Sequence, residues 1–130
     1  MPVTPTTTVN VRYMVADVEA AMAWYTKHLG FTVISNAAPA FADVSLGSLR
    51  LLISGPGSSA GRPMPDGARP GPGGWNRIHL IVDDLPSEVA RLRAAGVQFR
   101  NDIVTGPGGS QILLTDPSGN LVELFQPARR

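Results

Sequence analysis

Val11-Arg12-Tyr13-Met14-Val15-Ala16-Asp17-Val18, followed by a helical pattern that closes at Leu29-Gly30-Phe31, returns later as Ile78-His79-Leu80-Ile81-Val82-Asp83-Asp84-Leu85, closing at Ala95-Gly96-Val97. Asp17 maps onto Asp84. A second echo pairs Leu46-Gly47-Ser48-Leu49-Arg50-Leu51-Leu52-Ile53 with Ser118-Gly119-Asn120-Leu121-Val122-Glu123-Leu124-Phe125. A repeat of about half the chain predicts two like modules related by pseudo-two-fold symmetry. A cleft between their sheets is then the expected place for a site.

Within each copy the local signals agree. Val9 to Val15 alternates as a strand does, and Asp17 offers an acceptor to the first free amides of a helix running to about His28, with Gly30 as its left-handed terminator. Asp84, Pro86 in the first turn and Gly96 repeat these devices. Phe41 to Leu46, Leu49 to Ile53, Ser110 to Thr115 and Leu121 to Gln126 read as strands, the last two joined by the turn Asp116-Pro117-Ser118-Gly119. Extended stretches near Thr32 to Ser35 and Gln98 to Val104 complete two β-α-β-β-β modules. The fold class is therefore α+β, one domain over residues 1–130. Module one covers about 9–53 and module two about 76–126, their sheets curving around a central cleft. Residues 54–75 join them, and 12 of these 22 residues are Gly or Pro. Such a stretch buries no core of its own and reads as a flexible connector, or as a flap in which Met64 and Trp75 close over a ligand.

Composition removes several function classes. With 43% hydrophobic and 16% charged residues and a net charge of +1, the chain reads as a soluble globular domain with no basic patch for nucleic acid or anionic membrane. The absence of cysteine excludes thiol catalysis and zinc-thiolate sites, and fits a cytoplasmic protein. Neither a signal-peptide pattern nor an apolar run of membrane-helix length is present. Ten Arg against one Lys, with abundant Ala, Gly and Pro, points to a GC-rich bacterial genome.

Paired modules carrying Asp17 before a helix ending Trp24-Tyr25 and Leu29-Gly30-Phe31, with Asp116-Pro117-Ser118-Gly119-Asn120-Leu121-Val122-Glu123-Leu124 near the end, resemble the vicinal oxygen chelate superfamily. That superfamily groups glyoxalase I, extradiol dioxygenases, fosfomycin-resistance enzymes and bleomycin-resistance proteins. The resemblance spans about Val9 to Gln126 and implies the fold. It does not select an activity, because the group holds both metalloenzymes and metal-free proteins that sequester a drug. It also implies a homodimer, in which each cleft is built within one chain or across two.

In the metalloenzymes that this chain resembles, ligands come from four symmetry-related strand positions filled by His, Glu or Gln. Counting back from the capping aspartates gives Asn10 and Arg77, and counting on from the turn glycines gives Leu51 and Glu123. Only Glu123 is an ordinary ligand, whereas a divalent ion needs about three. Leu51 has no donor atom and Arg77 is a cation. No metal or other cofactor is therefore expected. The alternative is a shifted site for Mn, Ni, Zn or Fe on His79 and Glu123, helped by Asn10, Asp43 or substrate oxygens. His28, near the end of the first helix, suits the helix dipole instead.

Arg77 stands where the cation would, and either pairs structurally with Glu123 or binds a ligand oxygen. Strand parity adds Arg12 and Met14 to Asn10, Ile81 to His79, Leu49 and Ile53 to Leu51, and Leu121 and Phe125 to Glu123. Trp24 and Tyr25 belong to the helix and its core, while Trp75 is placed to stack on a planar ligand. The candidate ligand-binding set is thus Asn10, Arg12, Met14, Leu51, Trp75, Arg77, His79, Glu123 and Phe125. His79 and Glu123 are also the candidate acid and base. Gly106-Pro107-Gly108-Gly109-Ser110 reads as a hairpin turn rather than a phosphate loop, and Ser110 is a nucleophile only if His79 lies beside it. The expected role is metal-independent binding of a small organic ligand, similar to drug-sequestering antibiotic-resistance proteins. The alternative is an enzyme of the same superfamily: a metal-dependent lyase, isomerase or dioxygenase, or a metal-free catalyst.

Overall fold

The computed structural model describes residues 2–129, and a boundary between Pro72 and Gly73 divides the chain into two compact units. In the first, β1 (Val9–Met14) leads into α1 (Val18–Leu29), followed by β2 (Thr32–Ala37), β3 (Phe41–Leu46) and β4 (Leu49–Ser54). Its four strands lie in the order β1-β4-β3-β2, with β1 parallel to β4 and the other pairs antiparallel. Asp17 caps α1, its carboxylate accepting from Ala20 N at 3.0 Å, and Gly30 ends the helix at φ 74°. Glu19 in the first turn and Lys27 and His28 in the last suit the helix dipole.

Val18, Ala21 and Tyr25 form the buried stripe of α1. Tyr25 is wholly buried, with Tyr13, Trp24 and Phe31 edge-on around it at centroid distances of 6.5, 4.8 and 5.5 Å. Trp24 is only half-buried, so it caps this cluster rather than filling the core. Replacing Asp17 with alanine leaves the Ala20 amide without its partner and is expected to cost about 1 kcal/mol in urea unfolding. An unchanged midpoint would show that the cap contributes nothing.

The second unit repeats the plan with β5 (Ile78–Ile81), α2 (Leu85–Ala94), β6 (Gln98–Phe99), β7 (Val104–Gly106), β8 (Gly109–Thr115) and β9 (Leu121–Pro127). The path is β5-β9-β8-β6, with β7 also on β8. The single strand expected over 98–104 is two short pieces, because both β6 and β7 pair with β8 and a bend separates them. Asp84 caps α2 through Ser87 N at 3.2 Å, and Gln126 Oε1 accepts from Leu85 N at 2.7 Å, tying the helix to β9. Leu85, Val89 and Leu92 are its buried stripe, and Ile112, Leu114, Val122 and Leu124 are among the buried residues of the sheet. Gly106 pairs with Gly109 across the expected hairpin.

The joining segment has structure of its own. A 3-10 turn (Ser59–Gly61) packs so closely that a Cβ on Gly61 would meet Pro56 O at 2.7 Å. Met64 N donates to Ala68 O at 2.7 Å, forming a second turn. Met64 and Trp75 remain 46% and 63% exposed.

Candidate functional site

Partner residues in adjacent strands share a face, which sorts each sheet into a helix side and a far side. On β1, Val11 and Tyr13 pair with Leu51 and Ile53 on the helix side, whereas Asn10, Arg12 and Met14 pair with Arg50, Leu52 and Ser54 on the far side. Leu51 is therefore not a ligand-binding residue: it is fully buried in the core with Ile53, away from Asn10 and Arg12. On β5, Ile78 pairs with Val122 and His79 with Glu123, so the counterpart of Glu123 in module one is Leu52, opposite Arg12. Counting from the glycines failed because the turns differ: Gly47-Ser48 joins β3 to β4, whereas residues 116–120 join β8 to β9.

The far side of the second sheet carries a polar cluster. Arg77 Nε and Nη2 lie 3.0 and 2.9 Å from Glu123 Oε1, and His79 Nε2 lies 3.4 Å from Oε2. Both carboxylate oxygens thus face nitrogen. Glu123 is only 6% exposed, while nearly half of the His79 side chain is open to solvent. Phe125, two residues along β9, lies 4.9 Å from the imidazole, centroid to centroid. Arg77 Nη1 also donates to Trp75 O at 3.2 Å, so one guanidinium holds both the carboxylate and the chain entering β5.

Ahead of that cluster the Asp116-Pro117-Ser118-Gly119-Asn120 turn acts as a clamp. Asp116 Oδ1 accepts from Ser118 N and Asn120 N at 2.8 and 2.9 Å, and Asn120 Oδ1 accepts from Gly73 N at 2.8 Å. A concavity of about 230 Å³ follows, lined by Gly73, Gly74, Trp75, Arg100, Gly119 and Leu121. The Arg100 guanidinium lies 5.0 Å from the Trp75 ring centre. A wider hollow of about 510 Å³ runs along residues 96–102, where Arg93 faces Phe99 at 4.7 Å and Asp102 at 3.6 Å.

The first sheet carries a separate ion pair that the sequence reading did not single out. Asp43, fully buried on β3, accepts from Arg50 Nε at 2.6 Å and from the Ser35 hydroxyl. Burial pushes the Asp43 carboxyl up, but the hydrogen bonds from Ser35 and Arg50 and the charge of Arg50 outweigh it and hold it below the ordinary value. Arg12 Nη1 donates to Ser54 Oγ at 2.8 Å. Alternation hid this pair, because Asp43 and Arg50 are not opposite but diagonal across β3 and β4. Ser110 shares its hydroxyl hydrogen bond with Thr105 at 2.9 Å. His28 stacks edge-on against Trp24 at 5.8 Å, within the last turn of α1.

At the positions that the resemblance marks, the first unit carries Asn10 and Leu52 and the second carries Arg77 and Glu123. They offer one amide, one alkyl chain, one cation and one carboxylate already engaged by that cation. Neither unit by itself supplies at these positions the roughly three donors that a divalent ion needs. Among the described residues, no three His, Asp or Glu side chains are grouped to hold one.

Two tandem units of like plan, β-α-β-β-β in the first and the same with one strand split in the second, each a mixed sheet with a helix, define the class of protein. The chain belongs to the Glyoxalase/Bleomycin resistance protein/Dioxygenase superfamily, whose family model matches residues 7–124. Among solved structures it resembles a lactoylglutathione lyase from Agrobacterium tumefaciens, at 21% identity and a TM-score of 0.74, with 94% of each chain covered. It also resembles TnmS3, an antibiotic binding protein from Streptomyces sp. CB03234, at 22% identity and a TM-score of 0.72, covering 98% of this chain and 99% of that one. A superfamily member from Sphaerobacter thermophilus DSM 20745 is 26% identical, with a TM-score of 0.74 and coverage of 94% and 98%. No curated protein matches the chain in sequence. No helix among the described residues is long and apolar enough to cross a membrane.

Proposed function

We propose that this protein binds a small organic ligand without a metal ion, on the surface that carries Trp75, Arg77, His79, Glu123 and Phe125. The observation that carries this reading is the Arg77–Glu123 pair. A guanidinium stands just ahead of β5, at the position where the metalloenzymes that the chain resembles place a ligand, and it engages Glu123. A fixed cation presenting N–H donors can bind a carbonyl or anionic oxygen directly. Phe125 beside His79 supplies an apolar, aromatic wall. The likeness to an antibiotic binding protein supports sequestration, and the likeness to a lyase keeps catalysis within the range of this fold.

One distance favours a second reading, metal-free proton transfer. His79 Nε2 at 3.4 Å from Glu123 Oε2 is an imidazole oriented by a carboxylate, with an exposed ring to meet a substrate. Both readings predict the same response to metals. Chelator-stripped protein titrated calorimetrically with Mn²⁺, Ni²⁺ and Zn²⁺ is expected to give no saturable heat. Binding at one ion per chain, abolished by His79→Ala and by Glu123→Ala, would overturn both and make the protein a metalloprotein.

A further inference from the structure

The concavity beside Trp75 has the chemistry of a site for one planar, negatively charged ring system. Its volume, about 230 Å³, lies just below the roughly 300 Å³ at which pockets begin to enclose drug-sized molecules. It therefore fits a small ligand or a single ring system of a larger one. Leu121, 3% exposed, supplies an apolar floor, and Trp75, 63% exposed, supplies an aromatic wall with most of its surface bare. Large exposed aromatics next to a concavity are commonly contact surfaces.

Charge decides what kind of ring. Arg100 is the one charged side chain among the six lining residues. Its backbone is fixed by Arg100 N donating to Leu113 O at 2.8 Å, and its guanidinium lies against the Trp75 indole. Among the described residues no carboxylate lies within 4 Å of that guanidinium, whereas Arg50, Arg77, Arg91 and Arg93 each have an acidic partner. A guanidinium near an indole face is attracted to the ring while its N–H groups remain donors to an anion. The rest of the rim is backbone. Gly73, Gly74 and Gly119 have φ of 107°, 94° and 86°, conformations that favour glycine, and a Cβ at any of them would meet nothing within 4 Å. The wall is consequently open, and the Asn120 clamp on Gly73 fixes it in place.

We infer that Trp75, Arg100 and Leu121, with the glycine rim, form a subsite for an aromatic carboxylate, the ring against the indole and Leu121 and the carboxylate on Arg100. The inference names a ligand class for the surface proposed above and rests on that reading. Neither Arg100 nor the glycine rim was among the residues singled out from the sequence, because Arg100 reaches Trp75 only through the pairing of β6 with β8.

The test is titration of the full-length protein with 2-naphthoate, followed by amide and indole nitrogen–proton NMR. The expected result is saturable shifts of the Trp75 indole and of the Gly73, Gly74 and Gly119 amides. Affinity should fall at least tenfold in Arg100→Gln and in Trp75→Ala, and 2-naphthalenemethanol, which keeps the rings and lacks the charge, should bind at least tenfold more weakly. Equal affinity for acid and alcohol, or an unchanged affinity in Arg100→Gln, would overturn the assignment of an anion site. Shifts confined to His79 and Phe125 would overturn this subsite and leave the broader binding surface standing. Stoichiometric metal binding in the calorimetric experiment would instead overturn the metal-free reading while leaving naphthoate shifts at Trp75 unexplained by it.

Discussion

Replacing Arg50 with methionine is expected to destabilise the protein by about 3 kcal/mol at pH 7, because a fully buried Asp43 loses its cation and two of its hydrogen bonds while staying charged. The Ser35 hydroxyl alone cannot replace them. The converse change, Asp43→Asn, costs less, since the Arg50 side chain is 38% exposed and can turn to water. The pH dependence gives a second readout. In the native protein the Asp43 carboxyl is held below its ordinary value, so the pair contributes stability above the unfolded carboxylate range, near pH 4, and loses it as pH falls through the lower folded value. In Arg50→Met the hydrogen bonds and charge of Arg50 are gone while those from Ser35 remain, so burial is less fully opposed, the Asp43 carboxyl sits higher than in the native protein, and the variant loses less stability on acidification. The deficit of the variant should therefore shrink in urea unfolding as the pH falls through the carboxylate range and towards the lower native value. A deficit that stays constant across that range would mean that the ion pair is not its source. An Arg50→Met/Asp43→Leu double variant, which removes both charges, should recover most of the loss.

The contrast between what the sequence revealed about the fold and about this ion pair is instructive. Caps, terminators and period-two strands are local, so Asp17, Asp84 and Gly30 stand where their neighbours in sequence place them. The repeat then carries the topology of one sheet over to the other. Side-chain constellations depend on register instead, and register between parallel strands is set by everything that lies between them. One residue of register separates Leu51 from Leu52, and with it a core residue from one on the far side of the sheet. The Arg77–Glu123 pair was legible because both residues sit at positions that the resemblance marked. Arg50–Asp43 and Arg100–Trp75 were not, since each joins residues that are diagonal or on strands whose bounds the sequence blurs.

The occurrence of one guanidinium–carboxylate pair on the far side of each sheet raises the question of what each pair is for. In Arg50–Asp43 the carboxylate is closed off while the guanidinium reaches the surface, which suits a clamp between β3 and β4. Arg77–Glu123 differs in that His79 stands over the second carboxylate oxygen with nearly half of its side chain open to solvent. A structural clamp alone has no use for an exposed imidazole there. On the proposed reading, this difference marks the second module's pair as the one that faces a ligand.

If Arg77 stands in the place of a cation, then Arg77→His should turn that place into a metal site. The introduced imidazole would stand just ahead of β5, two residues before His79, where the Arg77 side chain reaches Glu123, and Glu123 lies directly opposite His79 on β9. Two imidazoles and a freed carboxylate are the three protein ligands that Zn²⁺ needs before water completes its shell. We expect the variant to bind one Zn²⁺ or Ni²⁺ per chain, at least a hundredfold more tightly than the native protein, and to be stabilised by roughly 2.7 kcal/mol when free metal stands at a hundred times the dissociation constant. Without metal the same variant should be less stable than the native protein by about 2 kcal/mol, because Glu123 has lost its guanidinium. The two measurements separate the possible causes. Lowered metal-free stability together with gained metal binding means that a single residue sets both the clamp and the absence of a metal. Lowered stability with no gain of metal means that Arg77 is only a clamp, and that the strands around Glu123 do not present a coordination geometry even when the cation is removed.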